Sequence, residues 1–219
     1  FTPKVWRLIL NGGNRRVYEV LTKSHGVPAC VSKWQQQFGD DLDWKQIFLQ
    51  PFRTTLDTKL RWFQIRLLHR LLPTNRYLYF CKIVSSSKCT FCNMHEETLC
   101  HMFWECSFVQ KFWADVLEML KDKCQHCTNM FFSDILVIFG IKQQCKTDKI
   151  FDLILLLAKF HIYKSKLQNI IPNKTAFLHN IKHRYAIERY SHTISGTINR
   201  FKALAFFSKG LRKYFHYQI

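Results

Sequence analysis

A mainly α-helical, multi-helix protein is predicted by three observations. Apolar residues recur at three- and four-residue spacing, no stretch alternates with period two, and only 7 Gly and 5 Pro interrupt 219 residues. A hydrophobic share of 47% with 20 Phe is enough for one sizeable core or two small ones and argues against a disordered chain.

The elements follow in chain order. Residues 17–23, VYEVLTK, read as a helical lead-in ended by Gly26 and Pro28, and residues 1–30 are set apart as an N-terminal region. The chain opens on Phe1, not Met, as expected of a piece of a longer protein. VSKWQQQFG follows, with Ser32 as N-cap, Trp34 and Phe38 on one face, and Gly39 as the stop. The strongest period lies in LDTKLRWFQIRLLHRLLPTNRYLYF, where Leu60, Phe63, Leu67 and Leu71 fall on one stripe. Trp62, Ile65 and Leu68 widen that stripe, Pro73 is expected to end the helix, and His69 reads as a surface or interface residue. SFVQKFWADVLEMLKDK places Val109, Phe112, Val116 and Met119 or Leu120 at helical spacing, with Phe112 and Trp113 in the core.

Residues 31–122 thus form a helical region and 123–219 a second, basic one. In the second, Ser133 and Asn173 are candidate caps. IFDLILLLAKFHIY reads as a buried helix: it carries Asp152 and Lys159 and is shorter than the roughly 20 residues that span a bilayer, so no membrane partner is expected.

The formal net charge is +18, unevenly spread. Residues 141–219 hold 15 Lys and Arg against Asp148, Asp152 and Glu188, a net +12. Such a field concentrates polyanions, RNA or DNA first and anionic lipid second, against the plainer reading of a solvated basic surface. Candidate phosphate contacts are Lys182, His183, Arg184, Arg189, Arg200, Lys202, Arg212 and Lys213. Tyr185, Tyr190, Phe201 and Tyr214 serve either base stacking or the core. Nine cysteines, an odd number, and no secretory signal favour a reducing compartment, nucleus or cytoplasm, over a disulfide framework.

Chemistry concentrates in CTFCNMHEETLCHMFWEC, residues 89–106. Cys89, Cys92, His101 and Cys106 spell C-x2-C-x8-H-x4-C, a donor set suited to one tetrahedral Zn2+. Cys100 could replace His101, and His95 is close enough to compete; His101 is preferred because its neighbour would point away on a helical turn. Glu96, Glu97 and Thr98 look like an acidic helix start. Four protein ligands leave no place for water, so such a site is structural, and the predicted fold is a multi-helix domain with an embedded CCHC zinc knuckle. A second C-x2-C, Cys124 and Cys127, has only Cys145 downstream and reads as incidental thiols.

These stretches, with SKWQQQFG, the LRWFQIRLLHRLLPTNRYL helix, H-x-FWEC and LLLAKFHIYKSKLQN, resemble the C-terminal region of LINE-type (non-LTR) retrotransposon reverse transcriptases, over about residues 17–190. The resemblance implies a helical module after the polymerase thumb that grips template RNA or target DNA during target-primed reverse transcription. It implies the rest of the polyprotein as partner and places metal ligands on Cys89, Cys92, His101 and Cys106. The chain departs from the whole enzyme in lacking a YADD- or FADD-like motif. A polymerase needs paired carboxylates for its metal ions, and the 15 Asp and Glu here are scattered. No nucleophile–base pair or phosphate-cradling Gly-rich loop is present either, so no enzyme and no small-molecule substrate is expected of this chain. Leu99-Cys100 also departs from the family pattern and keeps Cys100 open as a ligand. The competing reading is a zinc-braced module that docks on a polymerase without touching nucleic acid.

Overall fold

A computed structural model describes residues 27–123, 132–140 and 148–195. Two compact units are distinguished, Phe1–Leu42 and Asp43–Ile219. In the first, α1 runs Ala29–Phe38 from Pro28, with Trp34, Cys30 and Val31 buried. Ser32 is not its cap: the helix starts three residues earlier, and the Ser32 hydroxyl donates back to the Ala29 carbonyl at 3.1 Å. Pro28 explains the early start, because it has no N–H to satisfy and its extended backbone leads straight into the first turn. Trp34 and Phe38 meet at 5.8 Å, and Gly39, at φ 84°, ends the helix where a side chain would be strained.

In the second unit, α2 (Trp44–Thr54) is capped by Asp43, which accepts from the Gln46 N–H at 3.1 Å. It tolerates a buried Pro51 in its closing turns. Asp57 caps α3 (Thr58–Leu68), accepting from Lys59 at 2.7 Å and Leu60 at 3.3 Å. Leu60, Phe63, Leu67 and Leu68 are buried as the period requires. Two corrections apply at this helix. It ends at Leu68, not at Pro73, because Arg70 adopts φ 59° and the Leu71 N–H turns back to the Arg66 carbonyl at 2.8 Å; Leu71 is left 64% exposed. Trp62, 66% exposed, lies off the stripe, and Gln64 occupies the core instead, donating to the Ile138 carbonyl at 3.0 Å.

Thr74 caps the short α4 (Asn75–Phe80). α5 (Ser107–Lys123) buries Val109, Phe112, Trp113 and Val116 as expected, and buries both of the alternatives Met119 and Leu120. Ser133 caps α6 (Asp134–Phe139) and Asn173 caps α8 (Lys174–Ser195), each by accepting an N–H three residues on. α7 (Asp148–Leu167) is the buried helix: every residue from Asp152 to Lys159 is shielded from solvent. It packs against α2, α3 and α8. Phe63 of α3 meets Phe160 at 5.2 Å and Tyr163 at 5.6 Å on α7, and burial of each such ring contributes about 1.5–3 kcal/mol.

Two polar core groups close the C-terminus of α6. Gln64 and Lys159 both donate to the Ile138 carbonyl at 3.0 Å, one of the last carbonyls a helix leaves unpaired. Burial drives the Lys159 ammonium down to about 7, against an upward pull from Asp152. Among the described residues the only strand-like pairing is a bridge between Lys88 and Glu96, and no helix is long and apolar enough to cross a membrane.

Candidate metal centre

The first two candidate ligands sit on a tight turn. Its base is tied by hydrogen bonds from Cys89 N–H to the His95 carbonyl at 2.8 Å and from Glu97 N–H to the Ser87 carbonyl at 2.9 Å. Within it, Asn93 donates to the Cys89 carbonyl at 2.9 Å and adopts φ 58°, a left-handed conformation that Asn accepts more readily than most residues. Reversal of the chain immediately after Cys92 aims the Cys89 and Cys92 sulfurs the same way.

The second pair comes from the chain leaving that turn. Thr98 accepts the His101 N–H at 2.9 Å, and residues 101–105 form one π-helical turn closed by the Cys106 N–H to the His101 carbonyl at 3.0 Å. This turn reconciles H-x4-C spacing with one site. On an α-helix, five residues rotate the side chain about 140° away from its starting face. The wider i to i+5 turn brings Cys106 back beside His101. Glu96 and Glu97 precede the helix instead of opening it, because both are held in the bridged turn.

One ligand atom from each of Cys89, Cys92, His101 and Cys106 lies within 4.8 Å of all the others. The Cys89 and Cys106 sulfurs are 3.9 Å apart, and the Cys92 sulfur is 3.4 Å from His101 Nε2. A tetrahedral zinc ion with bonds of about 2.3 Å to sulfur and about 2.0–2.1 Å to nitrogen requires edges of about 3.8 Å and about 3.5 Å, so this donor set fits the group. Cys100, though buried, is not among the convergent residues. His95 is likewise outside the set, its ring 5.4 Å from that of His101.

The surroundings favour thiolate at Cys92 and Cys106. Backbone N–H groups of Phe108 and Val109 point at the Cys106 sulfur, which stands at the N-terminus of α5. Those of Met94 and His95 point at Cys92, and that of Phe91 reaches Cys89 at 3.4 Å. The Cys89 thiol is pushed well above its usual range, first by its hydrogen bond to Cys106 and then by burial. The same bond lowers Cys106 against its own burial, and in Cys92 backbone donors and His101 outweigh desolvation. On the far side of the imidazole, a Glu105 carboxylate oxygen lies 3.8 Å from Nδ1, leaving Nε2 turned to the sulfurs.

Sequence reasoning missed the group that anchors the site. Glu97 is fully buried, accepting from Asn75 N–H at 2.8 Å, from Thr90 N–H at 2.9 Å and from the Thr90 hydroxyl at 2.8 Å. The Lys166 ammonium from α7 approaches it at 2.9 Å and also donates to the Pro73 carbonyl at 2.7 Å. Thr90 lies between the two cysteines, so one carboxylate ties their turn to α4 and α7. The sequence offers only two adjacent acids, Glu96 and Glu97, between the ligand pairs, and nothing local distinguishes the buried one from its exposed neighbour.

Of the eight candidate phosphate contacts, the described side chains are Lys182, half-buried, His183, exposed, and Arg184. Arg184 forms an ion pair with Asp57, the cap of α3. Arg189, Arg200, Lys202, Arg212 and Lys213 lie outside the described residues for their side chains, as do Cys124, Cys127 and Cys145, the lead-in at 17–23 and the four stacking candidates.

Residues 29–113 match the family described as zinc-binding in reverse transcriptase, a span that contains all four convergent residues. No curated protein and no solved structure matches the chain. Over α1 to the first turns of α5, the chain is similar to the accessory zinc-binding domain found in reverse transcriptases.

Proposed function

We propose that Cys89, Cys92, His101 and Cys106 hold one structural zinc ion. We read the chain as a nucleic-acid-binding accessory module of a LINE-type reverse transcriptase, helping the polymerase grip template RNA or target DNA. The convergence of the four donor atoms inside the matched segment carries this reading. With four protein ligands the ion braces the fold and does no chemistry. Catalysis then belongs to the remainder of the polyprotein, and the reduced thiols suit the nucleus or cytoplasm. The net charge of +18 supports the nucleic-acid part, since phosphate neutralisation by Lys and Arg supplies most non-specific affinity. A docking module without nucleic-acid binding is the second reading, favoured by the exposure of Phe80, Ile83 and Met94 beside the site in sequence.

The test is elemental analysis of the purified 219-residue chain, with titration of a labelled RNA hairpin and single-stranded DNA at two salt concentrations. One zinc per chain and binding that weakens with salt support the proposal. Cys106→Ser should lose metal and fold together, whereas Cys100→Ser should keep both. Absence of zinc from protein made with zinc in reducing buffer would overturn the metal assignment. Zinc without binding would leave the docking reading.

A further inference from the structure

Between α7 and α8, on the α3 side, lies a groove of about 250 Å³ that neither the metal centre nor the core accounts for. Its floor is apolar and aromatic, formed by Leu157, Phe160, Phe177 and Ile181. Its open rim carries Lys164, Asn180 and His183, all exposed. The one acid on the groove, Asp57, is already paired with Arg184, so the charge offered to a ligand is positive.

We propose that this groove takes one unstacked nucleotide of a single strand, its base against the Phe160 edge of the floor and its phosphate at Lys164 and His183. The inference rests on the nucleic-acid reading above and names where a strand is held. The volume falls short of the roughly 300–1,000 Å³ of small-molecule pockets, which suits one base with its sugar and phosphate outside. A single strand presents unstacked bases to aromatic and cationic side chains together, whereas a duplex hides them. Lys164 Nζ already stands over the Phe160 ring, 5.6 Å from its centroid, so cation and ring are positioned as one element. Asn180 and His161 add a polar reader. The Asn180 amide donates to His161 Nδ1 at 3.1 Å, which leaves the Asn180 carbonyl oxygen to accept from a base. Burial, offset in part by the Asn173 backbone, brings the His161 imidazole down to about 4, so it serves as a neutral acceptor.

The experiment uses the zinc-loaded full chain and a fluorescent 4-thiouridine-containing RNA of about 12 nucleotides, within the site sizes of single-strand binders. The same RNA is tested single-stranded and in a duplex, and crosslinks are mapped by mass spectrometry. Single strand should bind more tightly than duplex, with the crosslink on a peptide from α7 or α8. Lys164→Glu should weaken binding about tenfold and lower the salt slope by about 0.7, the value of one phosphate contact on a single strand. Asn180→Ala, also at an exposed position, should weaken it while circular dichroism and zinc content stay unchanged. Wild-type binding that both variants retain, a preference for duplex, or crosslinks confined to other segments would overturn the groove and leave the nucleic-acid reading standing. Failure of the wild-type chain to bind either RNA would instead remove that reading, and the groove with it.

Discussion

Replacing Glu97 with Gln keeps the shape of the side chain and removes a fully shielded negative charge. The carboxylate accepts from Asn75 and Lys166 through Oε1 and from both Thr90 donors through Oε2. Gln has one acceptor oxygen and one NH2, so its best orientation keeps the oxygen toward Asn75 and Lys166. The Thr90 hydroxyl then rotates to accept, and the Thr90 N–H loses its partner, at about 1–3 kcal/mol. The Lys166 ammonium, 5% exposed, keeps only the Pro73 carbonyl and a neutral amide, and breaking a buried ion pair on one side costs about 3–5 kcal/mol. The two losses overlap, so Glu97→Gln should destabilise by about 3–5 kcal/mol, a large share of the ~5–15 kcal/mol of a typical domain. Urea unfolding at neutral pH with zinc in fixed excess measures this, with Lys166→Met and the double variant completing a cycle. The double variant should lose at least about 2 kcal/mol less than the sum of the singles, because neither charge is then stranded. A loss below about 1 kcal/mol for Glu97→Gln, or strict additivity, would refute the anchoring role of this carboxylate.

Other predictions concern the turn, a buried amine and a helix cap. Asn93→Gly should leave zinc affinity within a few-fold, while Asn93→Val, which resists φ 58°, should cost about 1–2 kcal/mol and release zinc more readily to a competing chelator. Because the folded chain holds the Lys159 amine down to about 7 from its usual 10.5, the unfolded chain binds more protons between those values. Stability should therefore rise with pH across that window and be lowest below it, and Lys159→Met should flatten the rise in urea midpoints. Asp57→Asn should lose the Arg184 ion pair but keep the cap, at about 0.5–1 kcal/mol, whereas Asp57→Ala should lose about 1 kcal/mol more in thermal melts.

Period and spacing were the legible part. α3, α5 and α7 follow from apolar recurrence, since each buries one face, or in α7 nearly all faces, against neighbours. The four convergent residues follow from C-x2-C and H-x4-C, although the notion of a helical turn could not say how His101 and Cys106 share a side. α2 has no place in the sequence reading; Pro51 stands inside it, where its position in the last turns removes only one donor. The end of α3 was misplaced because nothing local marks Arg70 as left-handed; the Leu71 bond back to Arg66 and an open surface decide it. Glu97 was hidden for a different reason: its meaning depends on Lys166, which only the packing of α7 brings near. The groove is likewise a product of two helices distant in sequence.

The π-helical turn also ties the length of its segment to its helix type. The segment between His101 and Cys106 carries one residue more than an α-helix would use to connect the same two turns. At unchanged length, tightening residues 101–105 into a regular α-helix would swing Cys106 about 140° from His101 and away from the other donors, whereas deleting one residue would put the cysteine at i+4, back on the His101 face, and rotate α5 relative to the site instead. At this length, local backbone preference and ligand convergence pull in opposite directions over five residues, and a substitution that made them regular α-helix should show it as lost metal affinity. Length and turn type are therefore coupled in this stretch: five residues need the π turn, and four would need an α turn.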